Sequence, residues 1–333
     1  MSNTIHITVD DLHARIAAAC IRAGLGREAA THTADSLTEA ECAGRASHGL
    51  VRVESVCSLA ERKQPGEVEV QKHGTCFLGV DGNRHMAYHP GVIGIEKGAE
   101  IAAETGICMV GVRNSAHSGM LGFFARRIAR KGLWGLIMAH CVPLMAPHGG
   151  ARKIFGTNPV ALGVPRAEKD PLVIDFSPAA TTFGAILVAE KSGQKIGDGL
   201  ALDKDGRPTN DPGAVRDGGT LLPAAGAKGS ALALMVQLLC GPLIGAATLP
   251  ERATNYGLLL ILIRPDLFRE GGVTEREVEQ LLAAVEGCPL TEGFDSVRLP
   301  GERAARAINH ALQHGLEVDR SLWNRVGELA GAG

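Results

Sequence analysis

The spacing of apolar residues predicts three helices in the N-terminal part of the chain. The first is predicted to start at Asp10 or Asp11 and to end near Gly24, and the second to cover residues 27–43. A third begins near Ser47 and continues until Pro-Gly breaks the pattern. The faces that the first and third helices would bury consist of Leu12, Ile16 and Ala19, and of Leu50, Val53, Val56 or Cys57, and Ala60.

From about residue 70 the pattern changes to apolar strands that alternate with helices. Asp205-Gly206 marks a turn inside a polar excursion at 203–212. The stretch 256–268, which opens with an apolar run, is predicted to be a central strand, and residues 228–239 a long buried helix. The other predicted strands are 106–114, 133–140, 159–165 and 171–177, and a further helix covers 119–132.

This order of elements predicts an α/β protein with two domains. A helical domain would combine residues 1–75 with 300–333, and an α/β domain would cover 76–299. Strand and helix alternation normally suggests a doubly wound dinucleotide fold, but no GxGxxG follows a strand. The closest stretch, GLGREA at 24–29, follows a helix and lacks the third glycine. The α/β domain is therefore predicted to be of a non-Rossmann type.

Composition argues against several classes of protein. The 333 residues carry a formal net charge of −2, with two Trp and two Tyr, so no basic field or stacking surface suggests a nucleic-acid partner. The eight cysteines form no CxxC pair, which argues against a metal site and favours reduced thiols in a cytoplasmic protein. The N-terminal sequence lacks the pattern of a signal peptide. The apolar stretch 231–249 is interrupted by Gln237 and Gly241-Pro242, which predicts a soluble helix ending near Cys240 rather than a membrane span.

The octet RASHGLVR at 45–52 raises the first question of chemistry. In a helix, His48 and Arg52 would lie one turn apart on the same face and offer a proton and a planar cation together. A small carboxylate substrate with a reducible centre needs both. The alternative is structural, with Ser47 as an N-cap, His48 in the first turn and Arg52 on a solvated surface.

A second candidate lies in VRNSAHSGMLG at 112–122, between a predicted strand and helix. His117 would lie in the loop and exchange a proton near neutral pH. Ser118 would be the N-cap of the helix, where free amides attract anions. A plain strand–loop–helix joint with a hydrogen-bonded histidine is the alternative.

Three further stretches combine polar side chains with turns. Thr157 and Asn158 could hydrogen-bond a ligand or simply form a fixed Asn-Pro turn. Asp175, at the end of a strand with Ser177 after it, could hold a ribose hydroxyl or cap the following turn. In the third stretch, Lys228 and Gly229 stand at the start of a long apolar helix. They could bind a phosphate, or they could simply form the start of the helix.

The order of these motifs is more specific than any one of them. The chain reads SHGxxR, NSxHxG, FGTNPxAxGxP, a strand ending in Asp, LPxxGxKGxxLxLMV and VxLPGE across residues 41–302. This order resembles the type-2 malate/L-lactate dehydrogenase family, which includes ureidoglycolate and sulfolactate dehydrogenases and Δ1-piperideine-2-carboxylate reductases. The resemblance implies a non-Rossmann mixed-sheet fold, NAD or NADP as cofactor, and a homodimer or larger homo-oligomer with active sites between subunits.

The resemblance also implies roles for individual residues. Arg52 would pair with the substrate carboxylate, where a guanidinium can bind in a bidentate manner, and Thr157 would contact the substrate. His117 would handle the proton in hydroxy-acid members, whereas His48, with Ser47, would do so in ketimine-reducing members; both remain open. The positions that match cofactor contacts are His117, Ser118, Asp175, Phe176, Ser177, Lys228 and Gly229, with the segment Gly293, Phe294 and Asp295 as a further candidate.

Four departures from the family pattern concern the substrate. Val56 stands where many members have a tyrosine, and Ala185 where the ketimine reductases have an aspartate. DFSPAATTFG replaces a more usual D-M-A-T-S, and the region 245–256 is shorter than usual. The expected activity is hydride transfer between a nicotinamide and a small 2-oxo or 2-hydroxy acid. The alternatives are reduction of cyclic ketimines and a cofactor-binding protein without turnover.

Overall fold

The computed structural model describes residues 3–251 and 254–331 as a mixed α/β fold. The helices in this part of the chain are α1 Val9–Arg22, α2 Arg27–Cys42, α3 Val53–Lys63, α4 Tyr88–Thr105, α5 Leu121–Arg130, α6 Phe183–Lys191, α7 Pro212–Arg216, α8 Ala227–Cys240, α9 Val273–Glu286, α10 Glu302–His314 and α11 Arg320–Ala330. The strands are β1 Thr4–Ile7, β2 Glu69–His73, β3 Phe77–Asp81, β4 Ile107–Ser115, β5 Trp134–Ala139, β6 Val160–Val164, β7 Leu172–Phe176, β8 Ala201–Leu202, β9 Pro208–Thr209, β10 Thr220–Leu221, β11 Tyr256–Ile263 and β12 Leu316–Asp319.

A seven-stranded sheet forms the centre, in the order β2-β3-β4-β11-β5-β6-β7. Strand β11 is the middle strand, as its continuous apolar run predicts, and its side chains are almost all buried. Among the pairs of this sheet, β3 with β4 is parallel and the others are antiparallel. A doubly wound fold needs a mostly parallel sheet, so this sheet agrees with the missing dinucleotide fingerprint.

Helices α4 and α5 pack on the central sheet and bury its apolar face. Helix α4 approaches closely because it carries glycines where it crosses the strands: a Cβ on Gly94 or Gly98 would lie 2.9 Å from Val110 in β4. Phe124 of α5 fills the space beside Gly91. This packing fixes the start of α4, where Tyr88 is the first residue, and the loop before α5, which carries His117.

The two ends of the described chain pair with each other. Strand β1 is antiparallel to β12, and α1, α2, α3 and α11 enclose a second apolar cluster. Trp323 closes this cluster, with the Arg15 guanidinium 3.6 Å from its ring centroid. The predicted burial of Leu12, Ile16 and Ala19 is confirmed. The domain boundaries at 75/76 and 299/300 stay a prediction.

A third apolar cluster lies between residues 144 and 233, around a small sheet of order β10-β8-β9. Strands β8 and β9 flank the turn predicted at Asp205-Gly206, and Gly206 has the positive φ of 80° that such a turn requires. This unit links the strand β7 to the start of α8.

Two sequence predictions about helices are wrong. The N-cap of α1 is Thr8, whose hydroxyl accepts from the Asp11 amide, instead of Asp10 or Asp11. Helix α8 ends at Cys240 as predicted, but it is not buried all round, because Leu234, Met235 and Leu238 lie on an exposed face. Its other face, with Val236 and Cys240, packs on the sheet. Residues Ala227–Ile244 are long and apolar enough to cross a membrane by length and composition, and one third of them are buried within the fold.

Candidate functional site

The SHGxxR segment folds into two short 3₁₀ turns, 46–48 and 50–52, and the α-helix begins only at Val53. The prediction of one continuous helix with Ser47 as its N-cap is therefore wrong. The cause is Glu41 of α2, whose carboxylate accepts the Leu50 amide at 2.7 Å. Gly49 lies against this carboxylate so closely that a Cβ there would overlap Glu41 Oε2.

The two turns still bring the predicted side chains together. The Arg52 Nε donates to the Ser47 carbonyl at 2.7 Å, so the guanidinium is held beside the first turn. The Ser47 hydroxyl lies 3.0 Å from His48 Nδ1. Burial, with the nearby Arg52 and Arg45 charges, lowers the pKa of His48 to about 4, so the ring is neutral at pH 7.

His117 lies in the loop between β4 and α5, as predicted, and its ring stacks on His48 with centroids 5.7 Å apart. Its Nδ1 lies 3.1 Å from the Gly119 amide and 3.2 Å from the Tyr88 hydroxyl. Burial and the charges of Arg52 and His48 hold the pKa of His117 well below its usual range. The structure therefore places two neutral histidines and one guanidinium at a single point.

Ser118 is not the N-cap of α5, because the cap position is Met120, and no side chain caps the helix there. The free amides of the first turn are instead met by Asp175 from the end of β7, whose carboxylate accepts from the Gly122 amide at 2.8 Å. Burial raises the pKa of Asp175, while this amide and the charge of Arg45 oppose the rise. Asp175 thus connects the end of β7, which carries candidate cofactor contacts, to the start of α5, which follows the loop of His117.

The turn at Thr157 and Asn158 connects two parts of the site. The Ser177 hydroxyl donates to the Thr157 carbonyl at 2.7 Å. Asn158 is fully buried, and its amide donates to the Ala233 carbonyl and to Gln237 in α8. Asn158 therefore has the structural role that the Asn-Pro turn suggested as an alternative, and the backbone of Thr157 is fixed against β7.

Lys228 lies in the exposed first turn of α8, as predicted. Gly229 packs on the loop after β7, since a Cβ there would lie 2.9 Å from the Pro178 carbonyl oxygen and would overlap that of Ala224. The α8 N-terminus is therefore adjacent to Ser177 and to Phe176, whose ring is half exposed. The region thus combines an accessible cation, an aromatic face and a helix N-terminus. This combination fits a nucleotide, because the cation and the helix N-terminus favour its phosphate group.

The start of α6 borders the histidines. A Cβ on Gly184 would lie 3.0 Å from the Cβ of Ser47, and the next residue, Ala185, is exposed and carries no carboxylate. Val56 is buried in the helical cluster and supplies no hydroxyl. Gly293, Phe294 and Asp295 are exposed, and their part in cofactor binding stays a prediction. The shortened region 245–256 includes residues 252 and 253, which lie outside the described residues.

Two residues at the site were missed by the sequence analysis. Tyr88 contacts His117, and Arg45 acts on both His48 and Asp175 through its charge. Arg45 lies two residues before Ser47, the first residue of SHGxxR, so its position was a usable signal, whereas Tyr88 is 29 residues from His117. Among the described residues, no three His, Cys, Asp or Glu side chains are grouped as a metal site.

Comparison with known proteins supports one family for the whole chain. The family model described as malate/L-lactate dehydrogenase matches residues 7–327. The chain is 32% identical over 319 residues to the malate/(S)-sulfolactate dehydrogenase of Methanothermus fervidus, covering 92% of each chain. It is 36% identical over 302 residues to the (2R)-3-sulfolactate dehydrogenase (NADP⁺) of Chromohalobacter salexigens, covering 87% of this chain and 86% of that one. It is also 31% identical over 330 residues to the ureidoglycolate dehydrogenase (NAD⁺) of Escherichia coli O157:H7, covering 94% and 92%.

Solved structures share the fold along nearly the whole length. A dehydrogenase from Sinorhizobium meliloti superposes with a TM-score of 0.90 at 29% identity, covering 98% of both chains. The Δ1-piperideine-2-carboxylate reductase of Pseudomonas syringae superposes with a TM-score of 0.88 at 29% identity, covering 98% of this chain and 99% of that one. Hydroxy-acid and cyclic-imine enzymes are thus similar to this chain to nearly the same degree.

Proposed function

This chain belongs to the malate/L-lactate dehydrogenase family of NAD(P)-dependent oxidoreductases, and we propose that it transfers a hydride between a nicotinamide and a small 2-oxo or 2-hydroxy carboxylic acid. The family acts on small hydroxy acids or cyclic imines. The observation that carries the proposal is the stacked pair of His48 and His117 beside the Arg52 guanidinium. Acid–base groups and a carboxylate-binding cation are what this reduction requires of a protein.

Arg52 is the residue proposed to bind the substrate carboxylate. Its Nε is already engaged by the Ser47 carbonyl, so the side chain is oriented before substrate arrives. The terminal guanidinium nitrogens then remain for the two carboxylate oxygens. Because the pKa values of both neighbouring histidines are lowered, their rings do not compete with Arg52 for the anion at pH 7. Thr157 would border the substrate from the other side.

The cofactor, NAD(H) or NADP(H), supplies or accepts the hydride when bound. The residues proposed to hold it are His117, Ser118, Asp175, Phe176, Ser177, Lys228 and Gly229. Their contacts support a common site, since Asp175 bonds the amide of Gly122 and Gly229 packs on Pro178. With water excluded from this region, one of the two histidines, His48 or His117, would exchange the proton with the substrate oxygen or nitrogen.

Reduction of cyclic ketimines is the second candidate. The hydrogen bond between Ser47 and His48, at 3.0 Å, favours it, because it orients His48 as a proton donor to an imine nitrogen. The absence of a carboxylate at Ala185 weakens it, since the start of α6, which borders Ser47, has no carboxylate at this position to complete a relay. The choice between His48 and His117 therefore depends on the substrate.

The experiment is a substrate panel followed through NADH and NADPH absorbance. It would contain pyruvate, oxaloacetate, sulfopyruvate, Δ1-piperideine-2-carboxylate and Δ1-pyrroline-2-carboxylate. We expect turnover on one or more keto acids and a preference for one of the two cofactors. Turnover on the imines alone would overturn the first candidate in favour of the second. Binding of NAD(P)H, seen by fluorescence, with no turnover on the panel and on ureidoglycolate would indicate a cofactor-binding protein without catalysis.

We also propose that a second copy of the chain covers the exposed face of α8. Leu234, Met235 and Leu238 on that face, with Leu243 in the following turn, are each between 45% and 57% exposed. Exposed apolar groups of this size mark interaction sites in soluble proteins. The first turn of the same helix carries Lys228, so a partner there would border the cofactor region.

Light scattering after gel filtration tests this interface. We expect the wild type to be dimeric or larger, and Leu234→Glu with Leu238→Glu to give monomers with reduced turnover. Leu281→Glu, at an exposed position of α9, is the matched control and should change neither. A monomeric wild type, or wild-type protein that binds lipid vesicles through this face, would overturn the proposal.

All eight cysteines are unpaired, which supports a cytoplasmic location.

A further inference from the structure

Tyr88 occupies an unusual position for a tyrosine. It is the first residue of α4, its side chain has no exposed surface, and its ring packs in the helical cluster with the apolar residues of α1 to α3. Its hydroxyl nevertheless meets a polar atom, His117 Nδ1, at 3.2 Å. Burial raises the pKa of the hydroxyl, so Tyr88 keeps its proton and can donate it in a hydrogen bond.

The loop of His117 is shaped to fit this ring. Gly119 has a φ of +72°, and a Cβ there would lie 2.5 Å from Tyr88 Cε1. The absence of a side chain allows the Gly119 amide to turn toward His117 Nδ1, which it reaches at 3.1 Å. One imidazole nitrogen thus faces two hydrogen-bond donors from different elements.

These contacts determine which nitrogen of His117 carries the proton. A backbone amide can only donate, so Nδ1 must accept and the proton of the neutral ring lies on Nε2. The Tyr88 hydroxyl then donates to Nδ1 as well. The charged or titratable groups that face His117 are Arg52 and His48 from the two 3₁₀ turns and Tyr88 from α4. A cation at Arg52 opposes a second proton on the ring.

We propose that Tyr88 is a positioning residue that, with the Gly119 amide, holds His117 as the neutral Nε2–H tautomer and aims this N–H at the oxygen of the substrate. His117 then approaches the substrate as a hydrogen-bond donor, and its Nδ1 is closed to protons from solvent. This inference rests on the proposed function for the identity of the substrate oxygen. The tautomer itself is a property of the protein and can be measured without any turnover.

The direct test is nitrogen NMR of protein labelled at its histidine rings, with His117 assigned by the signals lost in His117→Asn. Near pH 7 we expect His117 to show an unprotonated, hydrogen-bonded Nδ1 and a protonated Nε2. A ring protonated at Nδ1, or one that charges fully between pH 6 and 7, would overturn the proposal. This result does not depend on the substrate panel, so failure of the tautomer and failure of the proposed function are distinguishable.

The variant Tyr88→Phe tests the role of the hydroxyl. We expect kcat to fall about three- to tenfold, the size of one neutral hydrogen bond, with KM for the carboxylate substrate unchanged. The His117 Nδ1 resonance should shift at the same time. Tyr256→Phe is the matched control, because Tyr256 is the other tyrosine of the sequence and is also buried. Equal kcat and an unmoved resonance in folded Tyr88→Phe would show that the tyrosine only fills space.

Discussion

The two histidines of the site differ in what meets their Nδ1 atoms. His48 has a serine hydroxyl, which can either donate or accept, so both tautomers are available to it. His117 has a backbone amide, which admits only one. The arrangement at His48 suits a residue that exchanges protons with solvent. The arrangement at His117 suits a residue that acts as a fixed hydrogen-bond donor. The two rings are therefore expected to contribute differently with different substrates.

This difference gives a prediction for the alanine variants. If a keto acid is the substrate, His117→Ala should lower kcat by about 10²–10⁴, the usual effect of removing a positioned proton donor, while NAD(P)H binding measured by fluorescence survives. If a cyclic imine is the substrate, His48→Ala should have that effect. His310→Ala, on the exposed surface of α10, is the control. Near-normal turnover of both site variants would contradict the assignment.

At this scale the sequence was informative where chemistry is encoded locally. The segment RASHGLVR and the loop around His117 could be singled out, and the structure brings Ser47, His48, Arg52 and His117 together. Tyr88 could not be found in this way, because a tyrosine before an apolar run is typical of a core residue. Its polar contact depends on how α4 packs against the loop after β4, which no local pattern records.

Among the elements, the break between the two 3₁₀ turns is the feature that most affects the site. The apolar stripe of Leu50, Val53, Val56 and Ala60 was predicted correctly, and these residues are buried. The helix start was misplaced because the competing hydrogen bond comes from Glu41, on a different helix. Burial raises the pKa of Glu41, and the Leu50 amide partly offsets this. The spacing of apolar residues indicates which face of a helix is buried. It does not indicate that a distant side chain, here Glu41, accepts an amide hydrogen bond in place of the helix.

Gly49→Ala tests this junction. A Cβ on Gly49 would overlap the carboxylate of Glu41, which then has to move. Displacing the carboxylate leaves the Leu50 amide without its charged acceptor, and we expect the free energy of unfolding to fall by about 2 kcal/mol. KM for the carboxylate should rise, since His48 and Arg52 flank the junction. Urea denaturation and initial rates measure the two effects.

Gly271→Ala provides the comparison for that variant, because the surroundings of Gly271 are open and its backbone φ is not positive. It should unfold as the wild type does. If Gly49→Ala matches it in both stability and KM, the carboxylate of Glu41 can move aside freely and does not hold the turns.

Over the whole molecule, the strand order is the part that local patterns could not supply. Five strands of the central sheet were predicted, including the middle one, whereas β2 and β3 were not. Strand β11 pairs with β4 and β5, more than 100 residues earlier in the chain. The order of motifs, through its resemblance to a family, indicated the fold that the sheet confirms. Helix α8 shows the converse limit: its apolar sequence predicted burial, yet Leu234, Met235 and Leu238 are exposed.

A cluster of three further histidines links the helical part of the molecule to the start of α4. His32 Nδ1 lies 2.9 Å from His89 Nδ1, and the rings of His85 and His89 are 5.0 Å apart. Burial lowers the pKa of all three, and that of His89 to about 4, with the charges of His85 and His32 adding to the effect. A hydrogen bond between two imidazole nitrogens requires one of them to be unprotonated, so at least one of the two rings is neutral, and the lowered pKa values favour neutral rings at pH 7.

This cluster makes stability depend on acid. In the unfolded chain His89 takes up its proton near pH 6.5, whereas in the folded chain it does so only near pH 4. Between these values the unfolded state binds more protons, so the free energy of unfolding falls as pH drops from about 6.5 to about 4, by at most about 3 kcal/mol for His89. Buried carboxyls such as Glu39, whose pKa is raised by burial, act in the opposite direction. The test must therefore compare variants and not the wild type alone.

Urea denaturation of the wild type and His89→Gln at pH 7.5 and pH 5 separates the two contributions. The variant should be less stable at pH 7.5, because its packing against His32 changes, but it should lose less stability than the wild type on going to pH 5. The change between the two pH values is the quantity to compare, since Glu39 and the other carboxyls contribute equally to both proteins. An equal or larger loss of stability in His89→Gln would mean that protonation of the cluster does not destabilise the fold. Other titrating groups would then cause the loss of stability in acid.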